Sequence, residues 1–128
     1  MFAITSIYAG VLGLFFVGLS YAITITRRKL AVSLGDGGDE RLQRQVRAQA
    51  NCAEYLPLGL ILLALAEAQG APAIAVHLLG LGLLAGRLLH AAAFLGAAMS
   101  LPLRIAGMVL TFLTIAATAA GLLLHGFF

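Results

Sequence analysis

The chain has 128 residues, of which 62% are hydrophobic and only 10% charged. A soluble domain carries about 25% charged residues, so this chain cannot cover a soluble surface and is read as an integral membrane protein. Its net charge of +3 and pI near 9.6 do not point to nucleic acid, because the basic residues stand at the ends of apolar runs, where Lys and Arg orient membrane spans.

Four apolar segments are expected to be spans, at about 2–26, 50–68, 72–95 and 101–126. Each approaches or exceeds the roughly 20 residues that cross a bilayer as a helix. The first stops at Arg27-Arg28-Lys29. No basic residue precedes it, and it outruns the apolar core of a signal peptide, which makes it a retained span. Between the first and second spans lies the one substantial loop, Leu30 to Glu40, with Gly35-Asp36-Gly37-Gly38-Asp39 as its flexible part. Gln69 to Pro72 is a tight turn, and Gly96 to Ser100 is short. Pro72 and Pro102 fall where helix-starting prolines are tolerated. The whole chain, 1–128, therefore reads as a single all-α domain, a four-helix antiparallel bundle.

This topology puts all eight basic residues at one side of the membrane, since Arg27, Arg28, Lys29, Arg41, Arg44 and Arg47 flank the first loop, Arg104 follows the third, and Arg87 lies in the nearer half of the third span. The positive-inside rule makes that side cytoplasmic, with both termini on the opposite side; in a bacterial cell the membrane would be the inner one. Small residues recur at Gly10, Gly13 and Gly18, at Gly82 and Gly86, and at Ala117 and Gly121. The Gly82/Gly86 spacing lets helices approach closely, and oligomer contact is one use of it.

The chemistry is concentrated at the start of the second span. At about 100° per residue, Arg44, Arg47, Asn51, Glu54 and Tyr55 share one helix face. Arg87, His90 and Phe94 share another, and Arg104 opens the fourth helix at similar depth. Glu54 has two readings: a charge pair with Arg47 or another arginine, which offsets desolvation, or an acceptor for a ligand amine. Arg87 and Arg104, set among apolar residues, must snorkel, pair or bind an anion. Cys52 is the only cysteine, so no internal disulfide can form. It shows no metal-ligand spacing with His77, His90 or His125, and no metal site is expected. There is no P-loop, dinucleotide glycine motif or nucleophile elbow.

The segment Arg47-Ala-Gln-Ala-Asn51-Cys-Ala-Glu54-Tyr55-Leu-Pro57 closely resembles the second-helix signature of the MAPEG family, the membrane-associated proteins of eicosanoid and glutathione metabolism. The wording is nearest the leukotriene-synthase type, and the family also holds microsomal glutathione transferases, prostaglandin E synthase and bacterial members. The resemblance extends over the whole chain and implies a homotrimer with glutathione between neighbouring subunits near the cytoplasmic face. Carried over by position, it implies that Arg47 holds a glutathione carboxylate and that Gln49 assists by hydrogen bonding. Asn51 and Glu54 would hold the tripeptide's polar groups, Glu54 taking the γ-glutamyl amine, with Tyr55 beside them. Arg28 matches a site arginine at the end of the first helix, and Arg104 the arginine that stabilises the glutathione thiolate. Arg44, Arg87 and His90 complete the set of expected glutathione contacts.

The sequence departs from these patterns at three positions. His90 and Phe94 stand where the leukotriene-synthase type has tyrosines, and Ile105 stands where the prostaglandin-synthase type has a serine. Arg87 and His90 match the latter type. The activity implied is conjugation or reduction of a small hydrophobic electrophile by glutathione as co-substrate. Two further readings stay open at this stage: a non-catalytic MAPEG-like binding or scaffold protein, and a small four-span exporter driven by protons at Glu54.

Overall fold

The computed structural model describes residues 1–127; Phe128, the last residue of the domain read from the sequence, lies outside them. It contains four helices: α1 (Ala3–Leu30), α2 (Glu40–Ala68), α3 (Ala73–Leu95) and α4 (Leu101–Phe127). All four are long and apolar enough to cross a membrane, in agreement with the four expected spans. The helices outrun the apolar runs at the basic end. α1 continues through Arg27, Arg28 and Lys29, whose charges suit the negative end of the helix dipole. α2 begins at Glu40, well ahead of Ala50, where the Asp39 side chain caps it by accepting from the Leu42 N–H at 2.7 Å.

Between them, Ala31 adopts a left-handed conformation (φ 55°) and closes α1 on the Arg27 and Arg28 carbonyls. Gly35, Gly37 and Gly38 follow at positive φ. Asp36 accepts from the Gly38 N–H at 2.9 Å, and the Arg27 guanidinium donates to the Gly35 carbonyl. The stretch expected to be the flexible part of this loop is thus a run of hydrogen-bonded turns. At the other end, Gly70 (φ 82°) turns the chain from α2 into α3, whose N-cap is Pro72.

α1 has no cap of its own at its N-terminus. Glu67, near the end of α2, supplies one. Its two carboxylate oxygens accept from the Ile4 and Thr5 N–H groups at 2.9 and 2.8 Å. Two otherwise unpaired donors are satisfied and a negative charge sits at the positive end of the helix dipole. Glu67→Gln keeps one acceptor and loses the charge. It should lower the thermal unfolding midpoint in detergent; an unchanged midpoint would show that the cap contributes nothing.

α2 and α3 form the centre of the bundle. α1 packs on one side of this pair and α4 on the other, and α1 and α4 do not touch among the described residues. The middle of the core is Leu12, Leu19, Cys52, Leu56, Leu83 and Ala91. Toward the turn between α2 and α3 the core continues through Tyr8, Leu63 and Val76, and the Tyr8 hydroxyl lies 3.1 Å from both the ring nitrogen Nδ1 and the carbonyl of His77. At the basic end Ala48, Ala93 and Phe94 close it.

The α3–α4 pairing is the most extensive, and glycine makes it so. A Cβ on Gly107 would stand 2.5 Å from the His90 backbone nitrogen and 2.8 Å from the Gly86 carbonyl oxygen. Gly82 and Gly86 face Thr114 and Thr111 of α4 in the same way. The small-residue pair read from the sequence therefore serves packing inside the chain. At Gly10, Gly13, Gly18 and Gly121 an added Cβ would meet nothing within 4 Å, so these glycines make no such approach.

Candidate functional site

The polar face of α2 is split by the fold. Its Asn51 and Tyr55 edge packs against α3 and α4, while Arg47 and Glu54 point away from the bundle and are exposed. The inward edge is organised by Arg87 of α3, which is only 1% exposed. Its Nη1 donates to Asn51 Oδ1 at 2.7 Å and more weakly to the Asn51 carbonyl at 3.4 Å. Its Nε and Nη2 donate to Thr111 Oγ1 at 3.2 and 2.9 Å, and Nη2 also reaches Met108 Sδ at 3.4 Å. Thr111 in turn donates to the Gly107 carbonyl at 2.7 Å, at the point where α3 and α4 are closest. The Arg87 guanidinium lies 5.6 Å from the Tyr55 ring centroid, and that ring is 5.5 Å from Phe112. A buried cation is tolerable when its donors are matched by fixed acceptors. Here the acceptors come from α2 and α4, so one side chain ties three helices together.

A second cluster lies nearer the basic end. The Arg104 guanidinium sits 5.7 Å from the Phe94 ring centroid, and the Phe94 ring lies tilted by 39° against that of His90, 5.0 Å between centroids; His90 is 3% exposed. Phe94 has lost the hydroxyl of the tyrosine pattern but keeps the ring that carries Arg104.

The remaining residues expected at the site are placed differently. Arg44 donates from Nη2 to the Ala97 carbonyl at 3.3 Å and so fastens α2 to the α3–α4 connection. Gln49 turns to α1 and donates to Ser20 Oγ at 3.3 Å. Arg28 lines a recess with Thr24 and Arg27 on α1, the helix that does not touch α4. One chain thus brings Asn51, Tyr55 and Arg87 together, and His90 with Arg104, but it does not gather Arg28 to them. Thr111 and Met108 carry no motif that marks them in the sequence. The available signal is the threonine spacing 111, 114, 118, which marks one polar face on α4.

The match to a protein-family model decides what this arrangement belongs to: the model of the MAPEG family covers residues 5–124. The chain belongs to the MAPEG family. It is also similar to the inner membrane protein YecN of Escherichia coli K12, 36% identical over 87 residues, and equally to the protein of that name from Escherichia coli O6:H1. The matched segment is 68% of this chain and 66% of the relative's length, so the chain spans slightly less than two thirds of the relatives. Their name gives a membrane location and no activity. Four apolar helices and this likeness make the MAPEG chain an integral, multi-pass membrane protein.

Within the MAPEG bundle, Glu54 is the residue whose surroundings say most. It lies four residues, or about 6 Å, inside the apolar run that starts at Ala50. Among the described residues it makes no hydrogen bond and no ion pair, so the intrachain pairing with Arg47 or another arginine is not formed. Three residues on, Pro57 lacks an N–H and cannot supply the helical partner of the Ala53 carbonyl. An uncovered charge in the apolar region costs up to about 3 kcal/mol.

Proposed function

We propose that this MAPEG protein binds glutathione and uses its thiolate to conjugate or reduce hydrophobic electrophiles that arrive from the bilayer. The observation that carries the reading is the pair Arg47 and Glu54, exposed and without a partner for Glu54 in the chain, beside Asn51 and Tyr55, which Arg87 holds from behind. Glutathione offers one ammonium, two carboxylates and a thiol. An acceptor at Glu54 and a donor at Arg47 match the first two groups. A guanidinium at Arg104 matches the third when it is ionised.

A homotrimer completes the account. α1 and α4 do not meet within one chain, so a ligand touching Arg28 and Arg104 together is served by helices from neighbouring subunits. The same contact covers Glu54. The basic end of the bundle is assigned to the cytoplasmic side and both termini to the other. In this reading Gln49, Asn51, Arg44 and Arg87 act mainly by holding the helices and rings in place, and His90 supports Phe94 and Arg104.

The chemistry follows from the thiol. Its ordinary pKa near 8.5 leaves the thiolate a minority at neutral pH. A guanidinium against the sulfur favours the anion. The thiolate's electron pair forms the S–C bond as the leaving group departs with its own pair; in an aryl chloride this releases chloride. A site closed to water strengthens the interaction between the guanidinium and the sulfur.

Turnover of chlorodinitrobenzene with glutathione by the purified protein tests the reading. Glutathione-dependent product above the uncatalysed rate, reduced about tenfold or more in Glu54→Gln, is expected. A wild-type rate equal to the buffer rate would remove the transferase reading. It would favour instead a MAPEG protein that binds without catalysis, which the missing hydroxyls at Phe94 and Ile105 also suit.

A further inference from the structure

We propose that the cleft between the end of α1 and the start of α2 binds the headgroup of an acidic glycerophospholipid bearing hydroxyl donors, phosphatidylglycerol being the simplest. This site is separate from Arg47, Glu54 and Arg104 and does not depend on the glutathione reading. It is a cavity of about 340 Å³ whose lining includes Ile25, Thr26, Lys29, Asp39, Arg41 and Gln45. One water needs about 10–15 Å³ of such space, so the cleft has room for a ligand.

Gln45 is the decisive residue. It lines the cleft, is only 7% exposed, and its carboxamide oxygen is enclosed with no hydrogen-bond partner. A buried polar atom left unpaired costs about 1–3 kcal/mol. Nothing in the surrounding packing explains a glutamine on the inward face of α2, where Leu42 and Ala48 are its buried neighbours along the helix. The terminal torsion of glutamine is soft, so the amide can turn either its oxygen or its NH₂ toward a ligand in the cleft.

The charges select an anion. Lys29 and Arg41 bring two positive charges and Asp39 one negative, and the Oδ1 of Asp39 is already engaged by the Leu42 N–H. The N-terminal end of α2 opens here and adds its positive dipole. The position selects a lipid over a soluble ion. The cleft straddles the boundary where the apolar run ending at Thr26 meets Arg27-Arg28-Lys29, and Ala22 and Ile25 extend its wall along α1 into the apolar segment. A phosphodiester between Lys29 and Arg41, a headgroup hydroxyl on the Gln45 oxygen once the amide turns it toward the cleft, and an acyl chain along α1 would use each of these features. Basic clefts between spans at this level suit anionic headgroups.

Native mass spectrometry of the detergent-purified protein titrated with single lipids tests this. Three diacyl lipids serve as probes: phosphatidylglycerol, phosphatidylmethanol (equally anionic, with no headgroup hydroxyl) and phosphatidylcholine. The wild type should retain phosphatidylglycerol about fivefold more tightly than phosphatidylmethanol, one hydrogen bond's worth, and both anions more tightly than phosphatidylcholine. Gln45→Leu, with Gln45→Met as a second apolar variant, should abolish the fivefold difference and leave glutathione binding unchanged. Lys29→Gln with Arg41→Gln should weaken both anionic lipids by about 30-fold. Equal retention of the two anionic lipids by the wild type, or a phosphatidylglycerol preference that survives in both Gln45 variants, would overturn the site. Displacement of bound phosphatidylglycerol by millimolar inorganic phosphate would also overturn it, in favour of a soluble anion.

Discussion

Arg104→Ala should slow glutathione conjugation by about a hundredfold at neutral pH while changing glutathione affinity far less. Arg104 stands exposed at the start of α4, its guanidinium carried on the Phe94 ring, and in the proposed reaction it faces the sulfur. Removing one fixed donor from a developing or reacting anion costs about 10² to 10³ in rate. The pH dependence has a definite sign. The guanidinium holds the thiol pKa down, so its loss moves the ionisation back toward the ordinary value near 8.5. The deficit should therefore shrink as pH rises through that value. Arg104→Lys keeps the charge but loses the planar group that lies over the Phe94 ring, and should fall between the two. Measured kcat and KM across pH would show this pattern. A rate in Arg104→Ala equal to wild type at every pH would take Arg104 out of the chemistry.

Gly107→Ala should have the largest effect on stability. The added Cβ meets the His90 nitrogen at 2.5 Å and the Gly86 carbonyl oxygen at 2.8 Å. Both are backbone atoms in helices, so neither can step aside as a side-chain tip could. α3 and α4 would have to separate, which strains the Thr111–Arg87–Asn51 chain that also fixes Tyr55. Overpacking a well-filled interior costs about 1–3 kcal/mol, and more when backbone must move. The upper end, about 3 kcal/mol, is expected. Gly121→Ala, where nothing lies within 4 Å, is the matched control. It should be neutral or gain up to about 1 kcal/mol from helix propensity. Thermal unfolding of both variants in one detergent decides it: similar midpoints for the two would mean that the α3–α4 approach is not tight.

The spans are legible in the sequence because each apolar run is long enough to cross a bilayer and is punctuated by charge, glycine or proline. The placement of all eight basic residues relative to the helix ends is legible for the same reason. The arc of Arg44, Arg47, Asn51, Glu54 and Tyr55 can also be read, since projection around one helix requires only the residue spacing. What projection cannot supply is the neighbour. Nothing in the sequence tells which edge of that arc packs on α3, so Asn51 and Glu54 look alike when one is bonded to Arg87 and the other faces outward. Arg44, which looks like a ligand contact, is joined to the Ala97 carbonyl far along the chain. Glu67 looks like an ordinary helix-end acid, yet it caps a helix that begins more than 60 residues earlier. Gln45, in a run rich in charge, has every mark of a solvated residue and is buried. For Asn51, Arg44 and Glu67 the deciding partner is distant in sequence, and no local pattern encodes it.

The most direct test is calorimetric titration of glutathione into the purified protein in detergent, alongside Arg47→Ala and Glu54→Gln. Micromolar to low-millimolar binding by the wild type, weakened about tenfold or more in either variant, is the result expected if the outward pair holds the tripeptide. No binding by the wild type, or an affinity unchanged in both variants, would contradict it.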